Sequence, residues 1–341
     1  MKSKKLTELL ENYYSISIIG MSKNAGKTTV LNKLISEYDN NCIKVGITSI
    51  GRDGEDVDIV TGTEKPRIFV TRGTIIATAA DLLKKSDITK EIMLTTGINT
   101  PMGEVVFVQA RSDGYVQIGG SSIGTQIVKL LGNFSKLGAD KVFIDGAFSR
   151  KTLSNPVICD AVILSSGASY STDMNKVVNK TVFTANLLMC NALNNRSILD
   201  LIEKLSENEG KIIAIRPDCS YFPVNLDNLK YMDGDISHVF VRGAISDRLV
   251  DKLIMSNIFM KGVSIIAEDG SKLLISEKTF EKLVRGGMEV VVMRPVNLIA
   301  VTVNPVSVSG FAFDKDAFKE ALAERLVIPV YNMADAGGVA L

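Results

Sequence analysis

The sequence predicts an α/β protein built on a mostly parallel sheet, and two observations lead to this class. Short apolar runs recur along the 341-residue chain, bounded by Gly, Asp, Asn or Pro. The stretches between them carry apolar residues at helical spacing, and such alternation is typical of a parallel sheet covered by helices. The runs predicted as buried strands are 15–19, 43–48, 142–144, 161–164, 212–215, 298–303 and 327–330.

One region breaks this alternation between Glu104 and Ile118. Two strand-like arms flank Ser112-Asp113-Gly114, which is a strong turn signal. We therefore predict a β-hairpin insertion at about 100–120.

A second region, 216–295, repeats the α/β pattern on a smaller scale. Its apolar runs are shorter and are again separated by helical spacing. We predict a main domain at 1–215, completed by 296–341, and a smaller α/β domain inserted at 216–295. The strand-like runs of the smaller domain are 238–241, 263–266 and 289–293.

Composition excludes several classes of function. A formal net charge of +1 gives no basic field that would attract nucleic acid or anionic lipid. Four separated cysteines and a single histidine, His238, argue against a zinc or nickel site and suit reduced thiols in the cytosol. Without a signal-peptide core or an apolar run of about 20 residues, we expect a cytoplasmic protein that does not enter a membrane. The apolar excess then belongs to cores or to a partner interface, for which a homodimer is one arrangement.

The stretch GMSKNAGKTTV, residues 20–30, predicts a phosphate loop. It follows the apolar run 15–19 and leads into a helix expected to start near Lys27, with apolar residues on one face. The usual pattern places four residues between its first glycine and Gly-Lys-Ser/Thr. Here Met21 stands at the position of that first glycine, and Gly20 lies one residue earlier. The one-residue shift leaves the shape of the turn open.

The loop residues have distinct predicted roles. The turn allows backbone N–H groups to converge on phosphate oxygens, and Lys27 is expected to neutralise the outer phosphates as a catalytic residue. Thr28 would offer its hydroxyl to Mg²⁺, and Thr29 would reach an inner phosphate. The alternative is an ordinary helix N-terminus at which Lys27 and Thr28 are solvated. The predicted nucleotide-binding residues are Ser22, Lys23, Asn24, Ala25, Gly26, Lys27, Thr28 and Thr29.

Acidic residues follow two of the predicted strands. Asp145 ends the run 142–144 and is the expected metal-side acid, although Asp-Gly is also an ordinary turn signal. Asp53 and Glu55 follow the run 43–48 and are candidates for positioning water or contacting the metal. An exposed acidic turn explains Asp53 and Glu55 equally well. Arg150 lies close after Asp145, where it could sense the terminal phosphate.

The sequence favours ATP over GTP. Guanine-specific folds of this kind carry an Asn-Lys-x-Asp segment, and neither 175–178 nor 179–182 has the aspartate. We therefore expect ATP and Mg²⁺ as ligands.

The loop resembles the altered phosphate loop of the deviant Walker A (SIMIBI) class, whose members include partition ATPases, dethiobiotin synthetases and metal-insertion GTPases. The resemblance rests on Lys23, a second lysine ahead of Gly26-Lys27-Thr28. In that class the extra lysine usually lies five residues before the main one, whereas Lys23 lies four before Lys27. Whether Lys23 contacts phosphate or is a solvated turn residue is left open by the sequence.

Four longer stretches, 47–70, 95–122, 143–169 and 300–314, resemble the P-loop subunit of the two-part lysine 5,6-aminomutase reactivating factor. The third of them reads FIDGAFSRKTLSNPVICDAVILSSGAS. The resemblance implies an ATP-dependent reactivase that works with a MutS-like ATPase subunit and helps a cobalamin-dependent aminomutase exchange its cofactor. His238 lacks the spacing of a cobalamin-binding signature, so we expect it to be a structural residue and the cobalamin to lie on the client protein.

The alternative function is a small-molecule kinase or ATP-dependent ligase of the dethiobiotin synthetase type. Such an enzyme needs a substrate pocket beside the terminal phosphate. A metal-insertion GTPase is disfavoured, because the sequence has no Cys/His cluster. The residues considered for the substrate pocket are Arg72, Arg111, Ser121, Ser122 and Asn304.

Overall fold

A computed structural model describes residues 5–50, 67–146, 158–225, 235–255 and 262–333. The chain divides into two compact units, one made of Met1–Val182 with Leu298–Leu341 and the other of Phe183–Asn297. Strands and helices alternate, and the larger sheet is mostly parallel, so the predicted α/β class is confirmed. Among the described residues, no helix combines the length and apolar character needed to cross a bilayer.

The first unit contains the larger sheet and the helices that cover it. Its elements are α1 (Leu6–Leu9), β1 (Ser15–Gly20), α2 (Lys27–Asp39), β2 (Val45–Ser49), β3 (Ile68–Val70), β4 (Ile75–Ala79), α3 (Ala80–Leu83), β5 (Lys90–Thr100), β6 (Gly103–Ala110), β7 (Gly114–Val116), α4 (Gly124–Lys136), β8 (Lys141–Asp145), β9 (Ala161–Gly167), the start of α5 (Met174–Leu188), β17 (Leu298–Asn304), α9 (Lys315–Ala323) and β18 (Val330–Asn332).

Nine of the described strands form one sheet, in the order β18-β17-β9-β1-β8-β2-β4-β6-β5. Neighbours from β18 to β4 pair in parallel, whereas β6 is antiparallel to both β4 and β5. From β1 the chain proceeds to β2 on one side, and from β9 it returns to the sheet at β17 on the other side. Such a change of direction opens a crevice at the carboxyl ends of parallel strands, where ligands bind.

Both faces of the central strands are buried, as the continuous apolar runs predict. Ile16 and Ile18 of β1 belong to a core that includes the apolar face of α2. On the opposite face, the ring of Phe134 in α4 packs edge-on against Phe107 of β6, with ring centroids 4.8 Å apart. A Cβ on Gly46 of β2 would lie 2.6 Å from Phe134, so this glycine allows α4 to approach the sheet.

The second unit has a five-stranded sheet in the order β11-β10-β12-β14-β16. Strands β12, β14 and β16 are parallel, and β10 is antiparallel to its neighbours. The elements are α6 (Arg196–Lys204), β10 (Ile212–Ile215), β11 (Tyr221–Pro223), β12 (His238–Val241), β13 (Ile245–Ser246), α7 (Asp247–Met255), β14 (Ser264–Ala267), β15 (Leu273–Leu274), α8 (Glu277–Arg285) and β16 (Glu289–Val292).

The boundary of the second unit differs from the one drawn on the sequence. The unit begins at Phe183, inside α5, and includes strand β10. The sequence pattern places residues 183–215 in the main domain. Strand β10 joins the second sheet because its backbone pairs with β11 and β12.

The predicted hairpin at about 100–120 is wrong in its pairing. Its two arms form β6 and β7, but β6 pairs with β4 and β5, while β7 pairs with β3. The polar side chains of the expected turn bind other segments instead. Ser112 Oγ accepts the Thr89 N–H at 2.9 Å, and Asp113 Oδ1 accepts the Arg72 N–H at 2.7 Å.

Candidate functional site

The candidate loop lies at the carboxyl end of β1, in the middle of the large sheet. Strand β1 ends at Gly20, and the Met21 N–H continues the pairing with β9 by donating to the Ser165 carbonyl at 2.8 Å. The turn closes at Gly26, whose φ of 95° only glycine adopts readily, and α2 begins at Lys27. Both the strand before the loop and the helix start after it are therefore where the sequence placed them.

The Lys27 side chain folds back over the end of β1. A Cβ on Gly20 would lie 3.1 Å from Lys27 Cγ, 3.2 Å from Cδ and 3.2 Å from the ammonium nitrogen. Gly20 thus leaves the space that the lysine side chain occupies. The sequence template required a glycine at the position of Met21, which is buried and continues the strand pairing. The one-residue shift therefore still leaves a glycine beside the lysine.

The remaining loop residues are held mainly by local contacts. Ala25 is buried, and Ser22 Oγ donates to the Lys23 carbonyl at 2.9 Å. Asn24 has a positive φ of 58°, a left-handed conformation that asparagine adopts more readily than most residues with a side chain. Lys23 is exposed at the rim of the turn. Its predicted contact with phosphate stays a prediction.

The first turn of α2 presents the other predicted ligands. Thr28 is half-buried and Thr29 is exposed. The first backbone hydrogen bond of the helix runs from the Val30 N–H to the Gly26 carbonyl at 3.1 Å. N–H groups that precede the first such bond have no acceptor within a helix, and they attract anions at the positive end of the helix dipole.

Asp145 lies beside the loop strand in the sheet. Strand β8 is the direct neighbour of β1, and Asp145 is in register with Ile18 of β1 on one side and with Ser49 of β2 on the other. Its side chain is partly exposed at the carboxyl end of its strand. The Gly146 N–H donates to the Ile18 carbonyl at 3.0 Å, which ties the chain after Asp145 to β1. The sequence-predicted acid therefore lies at the same sheet edge as the loop.

The loop segment 119–121 borders the crevice beyond β2. A Cβ on Gly120 would lie 2.5 Å from the Ser49 carbonyl oxygen, so the segment crosses the end of β2 in direct backbone contact. Gly119 is bonded to β4, because its carbonyl accepts the Ala79 N–H at 2.8 Å. The neighbouring Ser121 is buried, and its Oγ accepts the Ile123 N–H at 3.0 Å just before α4.

Two residues considered for a substrate pocket are at the wrong edge of the sheet. Arg72 precedes β4, and Arg111 follows the antiparallel strand β6, so both lie at the amino ends of the parallel strands. Arg111 forms an ion pair with Glu91 there. Strand direction, which the local sequence did not reveal, separates them from the loop. The remaining acidic candidates, Asp53 and Glu55, lie outside the described residues, as does Arg150.

His238 lies in the second unit, at the start of β12. Its Nδ1 is 2.9 Å from Ser237 Oγ, so the ring has a hydrogen-bond partner as expected of a structural residue. Burial lowers the pKa of His238, and the nearby Glu289 carboxylate acts in the opposite direction.

Two residues pack against the loop, and the sequence pointed to only one of them: Asn304 was considered for a substrate pocket, whereas Gly167 was not considered for the site. Gly167 ends β9 and Asn304 ends β17, and the two are in register in the sheet. A Cβ on Gly26 would lie only 2.8 Å from Asn304 Cβ. The only signal in the sequence is that polar or small residues end two apolar runs, which is too common to identify a loop contact.

Comparison with known proteins adds no family assignment, since the chain matches no protein-family model, no curated protein and no solved structure.

Proposed function

We propose that the chain binds and hydrolyses ATP with Mg²⁺, using a phosphate loop formed by residues 20–29. The observation that supports this proposal best is the position of Lys27. Its ammonium group lies over Gly20, at the carboxyl end of β1 and at the N-terminus of α2. A cation and a helix N-terminus directed to one place form a site for a chain of phosphates.

Loop residues would bind the nucleotide through its phosphates. The N–H groups at the start of α2 donate to phosphate oxygens, and the glycine at position 26 allows the backbone to approach them closely. Lys27 neutralises charge on the outer phosphates and stabilises the charge that shifts as the terminal phosphoryl group leaves. Lys23, Asn24 and the other turn residues form the part of the loop that surrounds the phosphates.

The donors expected for Mg²⁺ fit its chemistry. Mg²⁺ prefers oxygen ligands, retains several waters and needs only one or two protein groups beside the phosphates. Thr28 would supply a hydroxyl, and Asp145 would supply a carboxylate that acts directly or through a water. Among the described residues, no three His, Cys, Asp or Glu side chains cluster as a metal site. When bound, the ion would polarise the phosphoryl oxygens.

The biological role that we propose is that of a reactivase subunit. The resemblance of four sequence stretches to the P-loop subunit of the lysine 5,6-aminomutase reactivating factor supports it. ATP turnover would then drive release of a damaged cofactor from a cobalamin-dependent aminomutase, together with a MutS-like ATPase subunit.

Substitution of Lys27 tests the nucleotide site. Lys27→Ala should abolish ATP hydrolysis and weaken ATP binding by ~100-fold, because the outer phosphates lose their cation. Lys33→Ala is the matched control, since Lys33 belongs to the same helix but pairs with Glu37 at 3.8 Å. Phosphate release and calorimetric titration with ATP and GTP measure the effect. Equal turnover and affinity in the two variants would refute the nucleotide site.

A second experiment separates the candidate roles. The protein is incubated with ATP, with a purified aminomutase that carries inactivated cobalamin, and with the MutS-like ATPase subunit of the proposed reactivase. Recovery of aminomutase activity that requires ATP and Lys27 supports the reactivase. Formation of a phosphorylated metabolite without either protein indicates a small-molecule kinase instead.

A further inference from the structure

The ends of β9 and β17, at Gly167 and Asn304, pack against the candidate phosphate loop. We call these two strand ends the wall of the loop. The Ala168 N–H donates to the Asn304 carbonyl at 3.0 Å, which joins the two strand ends. A Cβ on Gly167 would lie 3.0 Å from that carbonyl oxygen and 3.3 Å from the carbonyl oxygen of Ala25. The loop backbone at Ala25 therefore lies close against Gly167, where even a methyl group would be tightly packed.

The Asn304 side chain contacts the loop one residue further on. Its Cβ lies 2.8 Å and its Nδ2 lies 3.4 Å from the position of a Cβ on Gly26. Asn304 Oδ1 accepts the Val306 N–H at 3.3 Å, which fixes the orientation of the amide. Gly26 has the left-handed conformation, and glycine is the residue that loses most conformational freedom when such a conformation is fixed. The contact with Asn304 limits this freedom.

We propose that Asn304 is a positioning residue of the nucleotide site, whose Cβ holds Gly26 and thereby the first turn of α2 in the phosphate-binding geometry. This inference rests on the proposed nucleotide function. Gly26 directly precedes Lys27 and Thr28, so a displacement of Gly26 moves both residues and the N–H groups of the helix start. Loss of the wall should weaken binding of the phosphates, and therefore act equally on adenine and guanine nucleotides.

Two substitutions of Asn304 test whether its Cβ or its amide group supports nucleotide binding. Asn304→Gly removes the Cβ and should weaken ADP and GDP binding by the same factor, ~10-fold or more, because small displacements of binding groups are costly. Asn304→Ala keeps the Cβ and should lose several-fold less affinity. Isothermal titration measures both nucleotides, at a temperature where melting curves show that every variant is folded.

A double substitution tests whether Asn304 acts on nucleotide affinity through Gly26. In Gly26→Ala, the added methyl group meets Asn304 Cβ, and Asn304→Gly provides the space that it needs. The second substitution should therefore restore part of the affinity lost through the first, although the positive φ of residue 26 remains unfavourable. Two substitutions that lower nucleotide affinity through separate contacts would instead add their effects.

Three results would overturn the role of Asn304: equal losses in Asn304→Ala and Asn304→Gly, a changed ratio of ADP to GDP affinity, or additive losses in the double variant. Each of these is measured on a protein that binds nucleotide. A wild-type chain that binds neither nucleotide would refute the proposed function itself, so the two failures are distinct.

Discussion

Lys141 Nζ donates a 2.6 Å hydrogen bond to the main-chain carbonyl of Glu11. The same ammonium group donates to the carbonyls of Leu10 at 2.9 Å and Tyr13 at 2.6 Å. Lys141 begins strand β8 and is buried, and this burial lowers the pKa of its side chain, while neighbouring carboxylates raise it. One lysine thus fixes the chain between α1 and β1 to the amino edge of the sheet.

Lys141→Met should therefore destabilise the protein. Methionine fills similar space but leaves three carbonyl groups without their donor, which costs ~1–3 kcal/mol of unfolding free energy. We expect a fall of several degrees in Tm, measured by thermal unfolding at neutral pH. Lys129→Met, at an exposed position of α4, is the control and should change Tm little. Equal Tm values for the two variants would contradict a role for these hydrogen bonds.

Gly20→Ala should separate nucleotide binding from stability. The added methyl group enters the space of the Lys27 side chain, so the ammonium group must move and ATP affinity should fall by ~10-fold. Stability should be unchanged or raised by up to ~1 kcal/mol, because glycine weakens a strand relative to alanine. Titration with ATP and urea unfolding measure the two effects. Unchanged ATP affinity in Gly20→Ala would show that nucleotide binding by Lys27 does not depend on a glycine at position 20.

Asp145→Asn should change nucleotide affinity in opposite directions with and without Mg²⁺. With Mg²⁺ present, loss of the carboxylate should lower hydrolysis by ~100-fold and weaken ATP binding. Without Mg²⁺, removal of a negative charge near the phosphates should strengthen binding. Titrations with Mg²⁺ and with a chelator test this. The control is Asp140→Asn, because Asp140 precedes the amino end of β8, where its Oδ2 accepts the Lys44 N–H at 2.8 Å. Identical changes in both conditions would exclude Asp145 from the metal site.

His238 should make stability depend on pH below neutrality. Burial lowers its folded-state pKa below the ordinary value of 6.5, so the unfolded chain binds the proton more readily. Its contribution is fully present above pH 6.5 and is lost as the pH falls from there toward the folded-state pKa. We expect His238→Gln to show a smaller fall in Tm than wild type between about pH 7.5 and about pH 5.5 in calorimetry. A fall at least as large would assign the pH dependence to other groups.

The sequence predicted the central strands well because each is buried on both faces. Such strands are uninterrupted apolar runs, and strands occur at six of the seven predicted positions. The seventh, 327–330, is mostly wrong, since Val327 is 93% exposed and β18 begins only at Val330. The edge strand β5 was missed because its longest apolar run, 92–94, has only three residues, and two of them are exposed at the edge of the sheet.

The candidate site was predictable only where its residues are consecutive. The helix start at Lys27 and the strand end at Asp145 agree with the local pattern. The contacts of Gly20 with Lys27 and of Gly26 with Asn304 depend on side-chain direction and on pairing between distant strands. Neither is encoded in a spacing rule. The same limit explains why Arg72 and Arg111 were considered for the site.

The neighbours β9 and β17 are separated in the chain by the entire second unit. Domains tend to form as the chain leaves the ribosome, beginning at the N-terminus. The loop at residues 20–29 is made early, but its wall at Asn304 is made only after the second unit. A nascent or truncated chain that stops before residue 298 lacks this wall, so we expect the loop to reach its phosphate-binding geometry only after the second unit has been made.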